Sequence, residues 1–135
     1  MSKKILIVED EIFIALEVEA IVRELGHESA GIAADSAAAM ERGSDADVAL
    51  VDLNLADGPT GVGLGRKLRD SYGITVLYVT ANPSQLGEGV PGTLGVVPKP
   101  VTETEMRDVI AYAVAAREKV TMPPPRRMRV FSAVA

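Results

Sequence analysis

Short apolar runs recur along the chain at Lys4–Val8, Glu28–Ile32, Asp47–Val51, Ile74–Thr80 and Thr93–Val97. Their cores, ILIV, VALV and ITVLYV, do not alternate with polar residues. A strand with one wet face alternates, whereas a strand covered on both faces reads as a continuous apolar run, as in parallel sheets. The intervening segments have a helical period. Across Glu11–Leu25, residues Ile14, Val18, Ile21 and Leu25 fall on one helix face, and Gly26 follows as a candidate C-terminal cap. Asp35–Arg42 reads as a short alanine-rich helix capped by Asp35. Gly61–Tyr72 reads as a third helix, weakened at its start by three glycines. Thr102–Lys119 opens with a capping threonine and two acids in its first turn.

Strand and helix thus alternate along the chain, which predicts a doubly wound parallel α/β sheet with right-handed crossovers. The weak link is Asn82–Gly95, where four glycines and two prolines leave room for one or two helical turns. A short or frayed fourth helix and a mobile loop are expected there. After Lys119 the composition changes abruptly to TMPPPRRMRVFSAVA, in which three prolines stop the last helix. The expected organisation is one domain over residues 1–120 and a Pro/Arg-rich tail over 121–135. The tail reads either as an extended segment or as one that docks Met128, Val130 and Phe131 on the domain or on a partner.

The 135 residues suit a single domain, and 47% apolar with 24% charged residues is ordinary for a globular chain. Nineteen acids against fourteen bases give a net charge of −5, which disfavours nucleic acid or an anionic membrane as partner. The lack of cysteine excludes disulfides, thiol catalysis and cysteine zinc sites, and a single histidine, His27, leaves little for a histidine metal site. The N-terminal apolar run Ile5–Val8 is too short for a signal peptide, and no run approaches the ~20 residues of a membrane span. A cytoplasmic location is expected.

In an open α/β sheet, ligands bind outside the carboxyl ends of the strands. The first run ends in Glu9, Asp10 and Glu11, the third in Asp52 followed by Asn54, and the fourth in Thr80, Ala81 and Asn82. The fifth leads into Lys99, framed by Pro98 and Pro100 in GVVPKP, and proline fixes the backbone on each side. Singly, these are ordinary residues: acids that cap helices, an aspartate in a turn, a β-branched strand end, a surface lysine. Together they are not. Crowded carboxylates stay ionised only beside a compensating cation, and hard oxygen ligands suit Mg²⁺ (or Mn²⁺). Asp52, alone at the end of VALVD, is placed to be a nucleophile that forms an aspartyl phosphate. Mg²⁺, Lys99 and the Thr80 hydroxyl would partner the phosphoryl oxygens.

Over about residues 3–119 the chain resembles the receiver domain of bacterial two-component response regulators. The resemblance rests on ILIVEDE, LVDLNLADGPTG, LYVTAN and VPKP, in that order. It implies a flavodoxin-like (βα)5 fold with a five-stranded sheet in the order 2-1-3-4-5. It also implies phosphoryl transfer to Asp52 from a histidine kinase or phosphotransferase. Asp10, Asp52 and the Asn54 backbone carbonyl would bind Mg²⁺, with Glu9 acting through a metal-bound water. Thr80 and Lys99 would hold the phosphoryl oxygens, and a cis peptide bond would precede Pro100. The segments DLNL.DGPTG and VTANP also resemble stand-alone receivers of alphaproteobacteria.

Two features depart from the family pattern. Val96 stands where a receiver usually carries the aromatic that reports phosphorylation, and the nearest aromatic is Tyr78. The fourth helix is broken. The loop after Thr80 and Ala81 is then the expected reporter. On the first helix, Phe13, Glu17 and Ala20 lie off the core stripe; Phe13 either tucks against the domain or meets a helical kinase. The expected role is a phosphorylation switch or phosphate sink, with a possible protein partner downstream and no DNA-binding helix-turn-helix after Lys119. An aspartyl-phosphate phosphatase and a flavodoxin-like flavin module are the alternatives. The first would want an acid where Asn54 stands, and the second a phosphate-cradling loop where Glu9–Glu11 repel phosphate.

Overall fold

The continuous apolar runs pair side by side in a parallel sheet with helices on both faces. The computed structural model describes residues 2–131. In chain order the elements are β1 (Lys4–Val8), α1 (Ile12–Glu24), β2 (Glu28–Ala33), α2 (Ser36–Arg42), β3 (Val48–Val51), α3 (Gly61–Tyr72) and β4 (Thr75–Thr80). A 3₁₀ turn at Pro83–Leu86 follows, then β5 (Gly95–Pro98), α4 (Glu103–Arg117) and β6 (Arg129–Val130). The strand order is β2-β1-β3-β4-β5-β6. The first five strands pair in parallel in the order 2-1-3-4-5, and β6 is antiparallel to β5.

Burial explains the lack of alternation. Leu6, Val8, Val51 and Tyr78 pack toward α2 and α3, while Ile5, Ile7, Leu50 and Leu77 pack toward α1 and α4. Every residue of β3 is buried. At about 25 cal/mol per Å² of apolar surface, this double coverage is the main stabilising term.

The caps read from sequence are in place. The Asp35 carboxylate accepts the Ala38 N–H at 2.8 Å. Thr102 and Glu105 form a reciprocal capping box at the start of α4. The glycines of α3 have a packing reason. A Cβ on Gly61 would fall on the Asp52 carbonyl and Leu53 Cα, and one on Gly65 would fall on the Tyr78 hydroxyl. Small residues let α3 sit directly on the ends of β3 and β4.

The structure adds to the predicted elements at two places. The expected fourth helix is reduced to the 3₁₀ turn, after which Gly87 and Gly89 take φ of +52° and +124°. A right-handed helix cannot continue through those values. Leu86 and Val90 are nonetheless buried and anchor the segment. The sheet has six strands instead of five, because Arg129–Val130 of the tail adds to the β5 edge. A two-residue strand after a proline run has no sequence period to announce it.

Candidate functional site

Four parallel strands end at the same edge and deliver the polar residues there. Glu9 and Asp10 follow β1, Asp52 follows β3, Thr80 ends β4 and Lys99 follows β5. Among the described residues, Glu9, Asp10 and Asp52 can place one carboxylate oxygen each within 4.8 Å of the others. Glu9 and Asp52 are buried and Asp10 is exposed. The register of β1 with β3 sets this grouping, since Val8 pairs with Val51, one residue before Glu9 on one strand and Asp52 on the other.

Lys99 reaches across the strand ends. Its Nζ lies 2.5 Å from Glu9 Oε1 and 3.0 Å from Asp52 Oδ2. Glu11 is farther, at 3.8 Å. The lysine backbone is tied to β4, its N–H donating to the Thr80 carbonyl at 2.8 Å. The peptide bond to Pro100 is cis. Burial alone would push the Lys99 ammonium down, but the two carboxylates outweigh it and its pKa is raised. Burial pushes the Glu9 carboxyl up, against the pull of Lys99 and of the Glu11 N–H, which Glu9 Oε2 accepts at 3.2 Å. One ammonium thus balances two buried carboxylates, which leaves the acidic edge with excess negative charge.

The other oxygen of Asp52, Oδ1, accepts the Leu53 N–H at 2.7 Å. The carboxylate is therefore held at both ends. Thr80 is fully buried, and its Oγ1 accepts the Asn82 N–H at 3.0 Å. Asn54 is half-buried two residues beyond Asp52, and Ala81 is exposed.

Tyr78 does not face the solvent edge. It is fully buried, its hydroxyl donates to the Val62 carbonyl at 3.0 Å, and burial pushes its ionisation well above the usual tyrosine range. Val96 is its partner in the β4–β5 ladder and lies in the same buried cluster. That cluster also contains Phe131, from the tail. The docking tail is one of the two readings the sequence offered; Met128 and Phe131 take part, while Val130 is 45% exposed.

The structure rejects one of the two readings of Phe13. It is 80% exposed, beside exposed Ile12 and Leu16, and does not tuck against the domain. Glu17 and Ala20 are exposed and line a groove of about 580 Å³ between α1 and α4. The groove runs up to Glu9, Asp52 and Lys99. Among the described residues, no helix is long and apolar enough to cross a membrane.

No family model matches the chain. It is similar to the phyllosphere-induced regulator PhyR of Methylorubrum extorquens, 32% identical over 117 residues, covering 84% of this chain. The chain spans 44% of that relative's length. Among solved structures, it is similar to the receiver domain of the Erythrobacter litoralis PhyR response regulator, with a TM-score of 0.77 and 32% identity. That match covers 90% of this chain and 97% of the other. A CheY-like response regulator receiver domain protein of Methanospirillum hungatei matches with a TM-score of 0.74 and 25% identity, over 88% of this chain and 98% of that one.

Proposed function

The chain belongs to the response regulator receiver-domain family, whose members are signalling switches, and on that footing we propose that Asp52 accepts a phosphoryl group from a histidine kinase or phosphotransferase. The observation that carries this reading is the placement of Asp52, buried at the end of β3 with Lys99 at 3.0 Å. In the transfer a carboxylate oxygen of Asp52 attacks phosphorus. The new O–P bond forms as the N–P bond to the donor imidazole breaks, and its electron pair stays on that nitrogen. Lys99 follows the charge from the free carboxylate to the phosphoryl oxygens. The Thr80 hydroxyl turns from the Asn82 N–H to donate to one of them. This is catalysis by positioning and electrostatics. Hydrolysis of the acyl phosphate returns the chain to its starting state, slowly and on itself.

The acids fit a hard divalent cation. Asp10, Asp52 and the Asn54 carbonyl would hold Mg²⁺ (or Mn²⁺) directly. Glu9, already engaged by Lys99, would act through a water. Exposure of Asp10 leaves room for the waters Mg²⁺ retains. When bound, the cation neutralises charge on the phosphoryl oxygens.

The donor surface in this reading is the exposed Ile12, Phe13 and Leu16 of α1, with Glu17 and Ala20 at the groove beside the acids. Phe13→Ala is expected to slow phosphotransfer from the cognate kinase while leaving the melting temperature unchanged; an unaltered rate would remove Phe13 from that surface. The reading implies a cytoplasmic location. Phosphate-affinity electrophoresis after acetyl phosphate and Mg²⁺ tests the acceptor. A retarded band is expected for the wild type and none for Asp52→Asn. An equal band in both ends the assignment to Asp52, and no band in either counts heavily against it.

A further inference from the structure

The segment after α4 does not simply trail away. It runs through Pro123–Pro125 and lies antiparallel along β5, pairing Arg129 with Val96 and Val130 with Gly95. The Phe131 N–H donates to the Leu94 carbonyl at 3.0 Å. Met128 and Phe131 are both buried, and they enter opposite faces of the sheet. Met128 joins the cluster under α1 and α4, and Phe131 the cluster under α2 and α3. The tail therefore clasps the β5 edge from both sides. An open edge is a ready template for another strand, and this one is covered by the chain itself.

The body of the domain is shaped to receive it. A Cβ on Gly89 would lie 2.7 Å from Phe131 Cγ. A Cβ on Gly95 would meet the Arg129 carbonyl, and also the Met128 methyl at 2.8 Å. Two glycines in separate segments thus leave the space the tail fills. Arg127 adds a polar clasp, with its Nε 2.5 Å from Glu105 Oε2 and an Nη donating to the Pro100 carbonyl at 2.7 Å.

These contacts fall on the two segments that leave the strand-end site. Pro100 directly follows Lys99, and Gly89 lies on the segment that begins at Thr80 and Asn82. We propose that the β5 edge is a strand-docking surface whose occupant is the chain's own Arg127–Phe131 segment, and that a phosphoryl group on Asp52 weakens this occupancy. The inference rests on the phosphoacceptor reading. As Lys99 turns toward the phosphoryl oxygens, the adjoining Pro100 carbonyl, which accepts from Arg127, moves with it and loosens the polar clasp. The freed edge fits an extended basic strand built like the occupant, with an arginine for Glu105 and apolar residues three apart in the manner of Met128 and Phe131.

The coupling is reciprocal, so loosening the tail must tighten binding at Asp52 by the same factor. The test is hydrogen exchange and amide NMR on the full chain with Mg²⁺, with and without beryllofluoride as phosphoryl mimic. The Leu53 amide, which donates to Asp52, reads the site, and the Phe131 amide reads the tail. Expected is a shift at Leu53 with exchange at Phe131 about fivefold faster or more. Arg127→Ala and Phe131→Ala should bind beryllofluoride more tightly by a similar factor. Arg127 is exposed, so its variant keeps the test sound if Phe131→Ala folds poorly. A Leu53 shift with unchanged Phe131 exchange and unchanged affinity in both variants overturns the inference and leaves Asp52 as acceptor. No Leu53 shift at all overturns both.

Discussion

The strand-end site and the β5 edge are both sealed by charge and apolar contact, yet they are built in opposite ways. At the site, Glu9, Asp52 and Lys99 are drawn from three strands and withdrawn from water, so each charge depends on the others. At the edge, Glu105 and Arg127 meet at the surface, while Met128 and Phe131 supply the burial. The two acids show the contrast. Burial pushes Glu9 up, whereas the Arg127 guanidinium beside Glu105 holds its carboxyl down at about 2. A buried ion set fails as a unit when one member goes, and a terminal segment can leave alone. The site is thus expected to fail only with the global fold, and the edge to open while the rest stays folded.

The sharpest way to break this contrast is Lys99→Met. It strands two buried carboxylates that now share one ammonium. Removing one partner of a buried pair costs about 3–5 kcal/mol. We expect that loss in urea unfolding with the metal chelated, and partial recovery in millimolar Mg²⁺, which supplies positive charge to the same acids. A loss below about 1 kcal/mol would mean that water reaches Glu9 and Asp52 and that the site is no more coupled than the edge.

The two regions were also unequally legible in the sequence. The residues brought together at the site are legible in the sequence, because each sits at the end of an apolar run and topology alone gathers such ends. The caps at Asp35 and Thr102 were equally readable, since a cap is a local hydrogen bond between neighbours. The edge is a matter of long-range fit. Nothing near Gly89 or Gly95 says that these glycines make room for a ring and a carbonyl from the tail. Nor could the sequence show whether the Phe13 ring tucks against the domain or stays exposed, as it does here. The departure noted at Val96 takes on a meaning in the fold. Tyr78 and Phe131 occupy the same buried cluster, so the aromatic bulk that β5 lacks is supplied by its neighbours on either side.

Two glycine substitutions sharpen the comparison at intermediate scale. A Cβ on Gly61 would strike the backbone of Asp52 and Leu53, which cannot move without shifting α3 off β3. Gly61→Ala should destabilise the whole domain by about 1–3 kcal/mol, seen as a lower urea midpoint. A Cβ on Gly89 would instead strike the Phe131 ring, and its φ of +124° adds local strain. Because Phe131 can withdraw, Gly89→Ala should leave the free energy of urea unfolding within about 0.5–1 kcal/mol of the wild type while abolishing exchange protection at the Phe131 amide. Equal global losses for the two variants would show that the tail is part of the cooperative core.

The smallest effect is a matter of pH and belongs to the edge alone. Glu105 owes its low pKa first to the Arg127 hydrogen bond and then to the Thr102 N–H. Its folded value, about 2, lies below the ordinary 4.5, so its ionised form is favoured by folding. That contribution is fully present above pH 4.5 and is lost as pH falls toward 2. Both side chains are solvated, so the gain is small and screened by salt. Across that window the NMR signals of Phe131 should drift toward those of a mobile ring, and added salt should reduce the drift. Arg127→Ala should flatten the Phe131 response, because the partner that distinguishes folded from unfolded Glu105 is gone. Should the drift persist unchanged in Arg127→Ala, the polar clasp contributes nothing, and the tail is held by Met128, Phe131 and the β5–β6 pairing alone.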